Sequence, residues 1–199
     1  MKTKIISLLF LISLLSCKKK DTDLCPGFQL EKATLVSSLD YDIINTIIDS
    51  IYTDFKYIHI NQETDSSVNI ENLKSRLQYH NITIDTVLLQ NYKKQNSQEY
   101  FLSDEFKQPN THLIATKEIE CLLSISDNIF DSWGYYYKKY PTSSGNYIFH
   151  RPGFNTNKDV AIIQYEWIAG PQTGEGYIVV LEKINDKWKI TYYFVTWVI

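Results

Sequence analysis

Histidines are the side chains of this sequence best suited to acid–base or metal chemistry near neutral pH. The chain has four of them, His59, His80, His112 and His150. No two follow the His-x-His or His-Glu-x-x-His spacing that turns imidazoles toward one metal ion, and no Gly-x-Ser-x-Gly nucleophile elbow occurs. Local motifs therefore predict no metal site, no cofactor and no catalytic residue. Only a site assembled from distant segments stays open.

The segment His150–Gly153 offers the most suggestive combination of side chains. It joins a histidine to Arg151, and the chain has only one other arginine. Glu166 and Glu175 follow on neighbouring predicted strands. An arginine fork can hold a carboxylate, and a histidine and a glutamate can act as acid and base. The candidate binding residues of this group are therefore His150, Arg151, Glu166 and Glu175. Alternatively, Arg151 only fixes the turn through backbone carbonyls or a structural acidic partner.

Aromatic residues are dense between Trp133 and Phe154. Such rings can stack on a sugar or pack against a partner protein. The alternative is that they fill the core of a small domain. Trp133 is the candidate binding residue of this segment.

Phosphate ligands are not expected. The segment Gly170–Gly176 is glycine-rich but lacks the Gly-Lys-Ser/Thr of a phosphate-binding loop, and we interpret it as a hairpin loop whose glycines adopt positive φ. The net charge is −3, which gives no basic excess to neutralise a nucleic acid. We predict no nucleic-acid partner.

The first sixteen residues have the plan of a bacterial signal peptide. Two lysines precede the apolar run Ile5–Leu15, which is too short to cross about 30 Å of hydrocarbon as a helix. The tetrapeptide Leu14-Leu15-Ser16-Cys17 then resembles the bacterial lipobox, whose cysteine is acylated and becomes the new N-terminus. The resemblance implies cleavage before Cys17 and anchoring in a membrane by acyl chains.

The chain after the signal peptide divides into two parts. Residues 17–36 are polar and are predicted to be a tether, and residues 37–199 are predicted to form one globular domain. Lys18–Lys20 either contact anionic headgroups or are simply solvated. No aspartate follows Cys17, which under enteric-type sorting favours the outer membrane of the cell envelope over the inner one.

Two further cysteines, Cys25 and Cys121, remain after lipidation. In an oxidising compartment two leftover thiols often pair, and a bridge here would attach the start of the tether to the domain. Alternatively, Cys121 is a small buried hydrophobic residue and Cys25 is a free thiol. The sequence leaves the two alternatives open.

The spacing of apolar residues in the segments that position these side chains changes at Pro141, from helical to alternating. Before it, apolar positions between Ile43 and Phe55 recur with helical spacing and predict a helix that Asp40 caps. The other predictions in this part are helices at Ile70–Tyr79, Asp85–Gln95 and Asp127–Tyr140 and strands at Tyr57–Ile60 and Lys117–Ser124.

After the turn Pro141–Gly145 the apolar pattern alternates with a period of two. Asn185-Asp186 fits a tight hairpin turn between the last two strands. Trp188, Ile190, Tyr192 and Phe194 are expected to face the long helix, and the C-terminus is expected to lie inside the sheet. The predicted strands are Asn146–His150, Asp159–Ile168, Gly176–Ile184 and Lys187–Ile199.

These patterns predict an α+β fold in which N-terminal helices pack on a C-terminal antiparallel β-meander. Helices followed by a curved meander also occur in NTF2-like and cystatin-like folds, which is an analogy of architecture only.

Several short motifs follow one another between Trp133 and Trp197. They are Arg151-Pro152-Gly153-Phe154-Asn155, Gly174-Glu175-Gly176-Tyr177, Leu181-Glu182-Lys183 and Lys187-Trp188-Lys189-Ile190. Their succession resembles uncharacterised exported proteins and lipoproteins of Gram-negative bacteria. Many of those have serine in place of His150, and some have a cysteine pair near the glycine-rich hairpin that is absent here. The resemblance implies architecture and no catalytic residue.

The sequence as a whole favours a lipid-anchored, non-enzymatic binding module of the cell envelope. Its partners would be the membrane and either a protein or a small molecule such as a glycan. The alternatives are a small envelope hydrolase or isomerase with a pocket, and an envelope inhibitor that offers a sheet edge to its target. A pocket lined by the candidate residues would favour the enzyme.

Overall fold

A computed structural model of the chain describes residues 25–34, 37–51 and 56–199. Over these ranges the fold is α+β, as predicted. The signal peptide and Cys17 lie outside the described residues. The helices are α1 (Ser38–Ile51), α2 (Ile70–Tyr79), α3 (Thr86–Gln95), α4 (Thr116–Leu123) and α5 (Ile129–Lys139). The strands are β1 (Tyr57–Asn61), β2 (Thr111–Ile114), β3 (Ser143–Phe149), β4 (Gly153–Phe154), β5 (Val160–Gly170), β6 (Thr173–Ile184) and β7 (Lys187–Val198).

The described strands form one sheet in the order β2-β1-β3-β5-β6-β7, with β4 paired beside β5. The last three long strands form the predicted antiparallel meander. Asn185 and Asp186 have φ of 51° and 59°, as a two-residue type I′ hairpin requires. β1 runs parallel to β2 and β3. These two parallel pairings were not predicted, and the NTF2-like or cystatin-like analogy does not include them.

One face of the sheet is covered by α1. Its stripe of Ile43, Ile44, Ile47 and Ile48 is fully buried against apolar residues of β1, β3, β5 and β6. The helix begins at Ser38, so Asp40 lies in its first turn and is not the capping residue that the sequence suggested. The Ser37 hydroxyl instead hydrogen-bonds the Asp40 carboxylate.

The opposite face is covered by α2 and α3. Alternation along β5 places Ala161 and Ile163 under α1 and Ile162 under α2 and α3. Helix α3 approaches β4 so closely that a Cβ at Gly153 would overlap the backbone of Tyr92. Asn69 and Asp85 cap α2 and α3 through their side chains, and the capping by Asp85 was predicted.

Helices α4 and α5 form a third apolar cluster, which also includes the buried Cys25 and the partly buried Phe28 of the N-terminal segment. A disulfide joins Cys25 to Cys121 across a sequence separation of 96 residues. Residues 25–34, assigned from the sequence to the tether, are hydrogen-bonded to the domain through Phe28, Glu31 and Thr34. The predicted strand at Lys117–Ser124 is wrong, because this segment forms α4.

Strand β7 departs from the predicted alternation. Trp188 and Ile190 pack on the α1 side, but a bulge follows, since Leu181 pairs with Ile190 and Val180 with Tyr192. The extra residue reverses the phase, so Phe194 packs on the α2–α3 side and Tyr192 is 46% exposed. β7 is the last strand in the sheet order. The C-terminus lies in the sheet, as expected, because the Ile199 N–H donates to the Gly174 carbonyl of β6 at 2.9 Å, but the Ile199 side chain is exposed.

Candidate functional site

A cavity of about 370 Å³ lies between α2 and the sheet. Its wall comes from Asn69, Asn72 and Arg76 at α2, and its floor from side chains of β5, β6 and β7. His150, at the end of β3, also lines it. The cavity therefore gathers two of the sequence-predicted binding residues, His150 and Glu166.

His150 is buried, with 3% of its surface exposed. Its Nε2 lies 3.5 Å from Oδ2 of Asp65, and its Nδ1 has no hydrogen-bond partner among the described residues. Burial lowers the pKa of His150, although the charge of Asp65 opposes this effect. At neutral pH the ring is therefore uncharged, with one ring nitrogen beside a carboxylate and the other unsatisfied.

Asp65 contacts His150 but does not itself line the cavity. Its carboxylate accepts hydrogen bonds from the backbone N–H of Ser67 at 2.6 Å and from the Ser67 hydroxyl at 2.8 Å. Its own N–H donates to the carbonyl of Phe149 at 3.0 Å. These bonds fix the loop before α2 against the end of β3, so the Asp65–His150 contact has a defined geometry.

Glu166 is half-buried on the cavity floor. Burial raises the pKa of its carboxyl, and the nearby charge of Asp65 raises it further. A hydrogen bond from the indole of Trp197 acts in the opposite direction. The burial and the neighbouring carboxylate together favour the protonated acid, which can donate a hydrogen bond as well as accept one.

Trp197 forms one side of the cavity, and the position of its indole requires a glycine at residue 176. A Cβ at Gly176 would overlap the Trp197 indole, so only glycine lets the ring lie against β6. The predicted positive φ is wrong for the glycine-rich segment, since Gly145 is the one described glycine with such a φ. The glycines of β6 make room for a ring instead of forming an unusual turn.

Arg76 is the one arginine in the cavity wall. Its Nε donates to Oδ1 of Asn72 at 2.8 Å. Within the described ranges no carboxylate forms an ion pair with it. A guanidinium has five N–H donors, so this side chain keeps donor capacity at the cavity.

Arg151 does not reach this site. Its Nε donates to Oδ2 of Asp40 at 2.8 Å, and both side chains are buried. Its guanidinium also lies over the ring of Tyr100, with its central carbon 4.2 Å from the ring centroid. Of the two alternatives that the sequence left open for Arg151, the structure shows the structural one, with an acidic partner from α1.

Glu175 and Trp133 are also outside the cavity. Glu175 projects on the α1 side of the sheet and accepts a hydrogen bond from the hydroxyl of Tyr177. It therefore faces away from Glu166, and the two cannot form the acid–base pair considered from the sequence. Trp133 is buried beside Tyr136 between α4 and α5, so it is a core residue.

Three residues of the site were not predicted from the sequence. Asp65 lies in a polar loop, Arg76 on a short helix and Trp197 at the end of the last strand. The only available hint was that Arg76 is one of two arginines in a chain whose other basic residues are lysines. Tertiary packing brings these three side chains to His150 and Glu166.

A second, shallower recess of about 420 Å³ lies at the β2 edge of the sheet. His59 and His112 are direct neighbours there on β1 and β2. Burial first, and then the charge of His112, lowers the pKa of His59 to about 4. His59 Nδ1 contacts the Ser143 hydroxyl at 2.8 Å. In the described ranges no three histidine, cysteine or acidic side chains lie close enough together to hold a metal ion.

Comparison with protein-family models, with curated proteins and with solved structures found no match to this chain. None of the helices in the described ranges combines the length and the apolar character needed to cross a membrane. Any functional assignment therefore has to come from the cavity and from the N-terminal motif.

Proposed function

We propose that the protein is a lipid-anchored binding protein of the bacterial cell envelope, and that the cavity between α2 and the sheet holds a small polar ligand. The outer membrane is the proposed location. The lipobox-like Leu14–Cys17 supports the anchor, and the Cys25–Cys121 disulfide fits an oxidising compartment.

The unsatisfied Nδ1 of His150 is the observation that carries the binding proposal, because it is the one of five such buried side-chain atoms in the described ranges whose residue lines the cavity. A buried polar atom without a partner costs about 1–3 kcal/mol, and such atoms call for a specific explanation. A ligand in the cavity supplies one, because His150 lines its wall together with amides and a guanidinium. Concave sites with a few convergent polar groups are the usual form of small-molecule sites.

The binding proposal is tested by thermal shift of the mature protein against neutral sugars, sugar acids and amino acids. Hits are measured again by calorimetry with His150→Ala and with Gln164→Ala, which alters another lining residue of the cavity, on β5. His112→Ala, in the second recess, is the matched control. We expect at least one ligand whose affinity falls tenfold or more in both cavity variants and is unchanged in the control. If no ligand depends on the cavity residues, the proposal is wrong.

The anchor is tested by Cys17→Ser. We expect the variant to leave the membrane fraction or to keep its signal peptide, because a serine cannot take the thioether-linked lipid. Cys25→Ser, which also removes one thiol, should stay acylated and membrane-bound. A Cys17→Ser protein that is processed and sediments with membranes like the wild type would refute the anchor.

One specific observation favours the hydrolase or isomerase alternative: the pKa values of Glu166 and His150 are shifted in opposite directions. Glu166 is shifted toward the protonated acid and His150 toward the neutral base, which is a pattern found at catalytic sites. An enzyme would turn over a cavity ligand and lose activity in both His150→Ala and Glu166→Gln with unchanged melting temperatures. Glu175→Gln should have no effect, because Glu175 faces the other side of the sheet.

A further inference from the structure

We infer that the ligand of this cavity is an acidic sugar, whose carboxylate is bound by Arg76 and whose ring packs beside Trp197. This inference rests on the proposed function and adds the chemical class of the ligand. It draws on the guanidinium, on the charge of the floor and on the amide groups of the wall.

The two arginines of the chain are used in opposite ways. Arg151 is buried, and Asp40 takes its charge. Arg76 also uses its Nε, but on the neutral amide of Asn72. Within the described ranges neither terminal amino group of Arg76 has a hydrogen bond or an ion pair. Nε held by Asn72 restrains the plane of the guanidinium, and a planar fork of this kind matches a carboxylate with two parallel hydrogen bonds.

Burial limits the negative charge of the floor beneath Arg76, because it disfavours an ionised Glu166. His150 is neutral because of its burial, and burial shifts Glu166 toward its protonated form. The carboxylate of Asp65, which contacts His150 and acts on Glu166 through its charge, is bonded to Ser67 and does not line the cavity. An amino acid fits less well than an anion without an amine, because Glu166 is the one carboxylate among the described residues of the cavity lining that could receive its ammonium, and burial disfavours the ionised form of that group.

The remaining groups are suited to hydroxyls and to a ring. Asn69, Asn72 and Gln164 line the cavity with amides. Their oxygens already accept hydrogen bonds from the Asn72 N–H, Arg76 Nε and the Tyr92 hydroxyl, so their NH₂ groups are the donors that they offer to ligand hydroxyls. Trp197 lies against Gly176 on one side and lines the cavity, so it offers an apolar surface beside polar groups. A carboxylate, several hydroxyls and a flat apolar face occur together in a uronic acid.

The test uses calorimetry of the mature protein with glucuronate, galacturonate and the neutral parent sugars glucose and galactose. Arg76→Gln removes the proposed carboxylate partner. Lys74→Gln is the matched control, since it removes the same charge from the same helix outside this cavity and is ion-paired to Glu71. We expect at least one uronate to bind ten times more tightly than its neutral parent. Arg76→Gln should remove that preference, and Lys74→Gln should keep it.

Three results would overturn the inference: equal binding of acid and neutral sugar, an unchanged uronate affinity in Arg76→Gln, or no uronate binding at all. A melting curve for each variant separates lost binding from lost folding. If Arg76→Gln does not fold, Arg76→Lys replaces it, because lysine keeps the charge but loses the bidentate fork. Its uronate affinity should fall by tenfold or more, and an unchanged affinity would overturn the inference. The proposed function fails separately, when no class of ligand depends on His150 and Gln164.

Discussion

The two faces of the sheet differ in whether their polar side chains have partners within the protein. On the α1 face the isoleucines of the helix fill the space, and the buried charges of Arg151 and Asp40 neutralise each other. On the α2 face a polar cavity interrupts the apolar cluster. There His150 has an unsatisfied nitrogen and Arg76 has no acidic partner within the described ranges.

This difference shows which polar residues serve the fold and which are available for binding. Paired buried groups are expected in any stable domain. Polar groups left with spare hydrogen-bonding capacity, and with pKa values shifted by burial, reduce stability and are typical of functional sites. The α1 face is therefore structural, and the α2 face is the candidate for function.

The largest effect is expected from Arg151→Ala on the closed face. Removing one partner of a buried ion pair leaves the Asp40 carboxylate uncompensated, and the free energy of unfolding should fall by about 3–5 kcal/mol. Urea unfolding at neutral pH measures it. In the double variant Asp40→Ala with Arg151→Ala, part of this loss should be recovered. If Arg151→Ala unfolds like the wild type and loses ligand binding, the two faces have been assigned the wrong way round.

A smaller effect is expected from acid at the β2 edge of the sheet, through His59. The unfolded chain has the ordinary histidine pKa of about 6.5, whereas in the folded protein burial lowers the pKa to about 4. As the pH falls through this window the unfolded state binds the proton first, so stability is present above pH 6.5 and is lost toward pH 4.

His59→Gln should abolish about 3 kcal/mol of the stability difference between pH 7 and pH 4, since that is the linkage value of a shift of this size. Chemical unfolding at both pH values, with His80→Gln at an exposed histidine outside this recess as the control, measures the difference. An equal pH dependence in wild type and His59→Gln would show that His59 is accessible to protons in the folded protein.

Trp188→Ala tests whether the bulge in β7 reverses the face to which its side chains point. Trp188 is only partly buried on the α1 side, next to Phe154, so we expect a loss of about 2 kcal/mol, less than for a fully buried aromatic residue. Tyr192→Ala, beyond the bulge and largely exposed, should change stability by less than about 0.5 kcal/mol. Equal losses in the two variants would mean that β7 has no bulge and keeps the simple alternation.

The fold could be predicted wherever the determinants are local. The helix Ile70–Tyr79 and the turn at Asn185-Asp186 follow from apolar spacing and from turn chemistry, and both are confirmed. Lys117–Ser124 was predicted as a strand because a short apolar run fits either period. In the structure Ile119 and Leu122 are buried at helical spacing. β2, with only four residues, was missed because its parallel pairing with β1 depends on distant contacts.

The site could be predicted only in part, because successive residues of a strand point to opposite faces of the sheet. His150 and Glu166 were found, and they share a face. Glu175 was grouped with them, but a shift of one residue along a strand reverses the face, and the register shows that Gly176 is the partner of Glu166. Arg151, next to His150, points to the opposite side for the same reason. Cross-strand register is a tertiary property and cannot be derived from one sequence.

The smallest effect is expected from Glu166→Gln on the cavity floor, and it should have the opposite sign to the losses above. Burial and Asp65 raise the pKa of Glu166, so the folded protein loses stability as the pH rises through that value, whereas a glutamine does not ionise. The variant should be more stable than the wild type at pH 8, by less than about 1 kcal/mol because the group is partly solvated, and equally stable at pH 4. Glu175→Gln, on the other face, should show no such gain, since Tyr177 already donates to its carboxylate. Urea unfolding at pH 4 and pH 8 measures the stability of each variant. If Glu166→Gln is less stable than the wild type at both pH values, the Glu166–Trp197 hydrogen bond is a structural contact. The distinction between the two faces would then be lost.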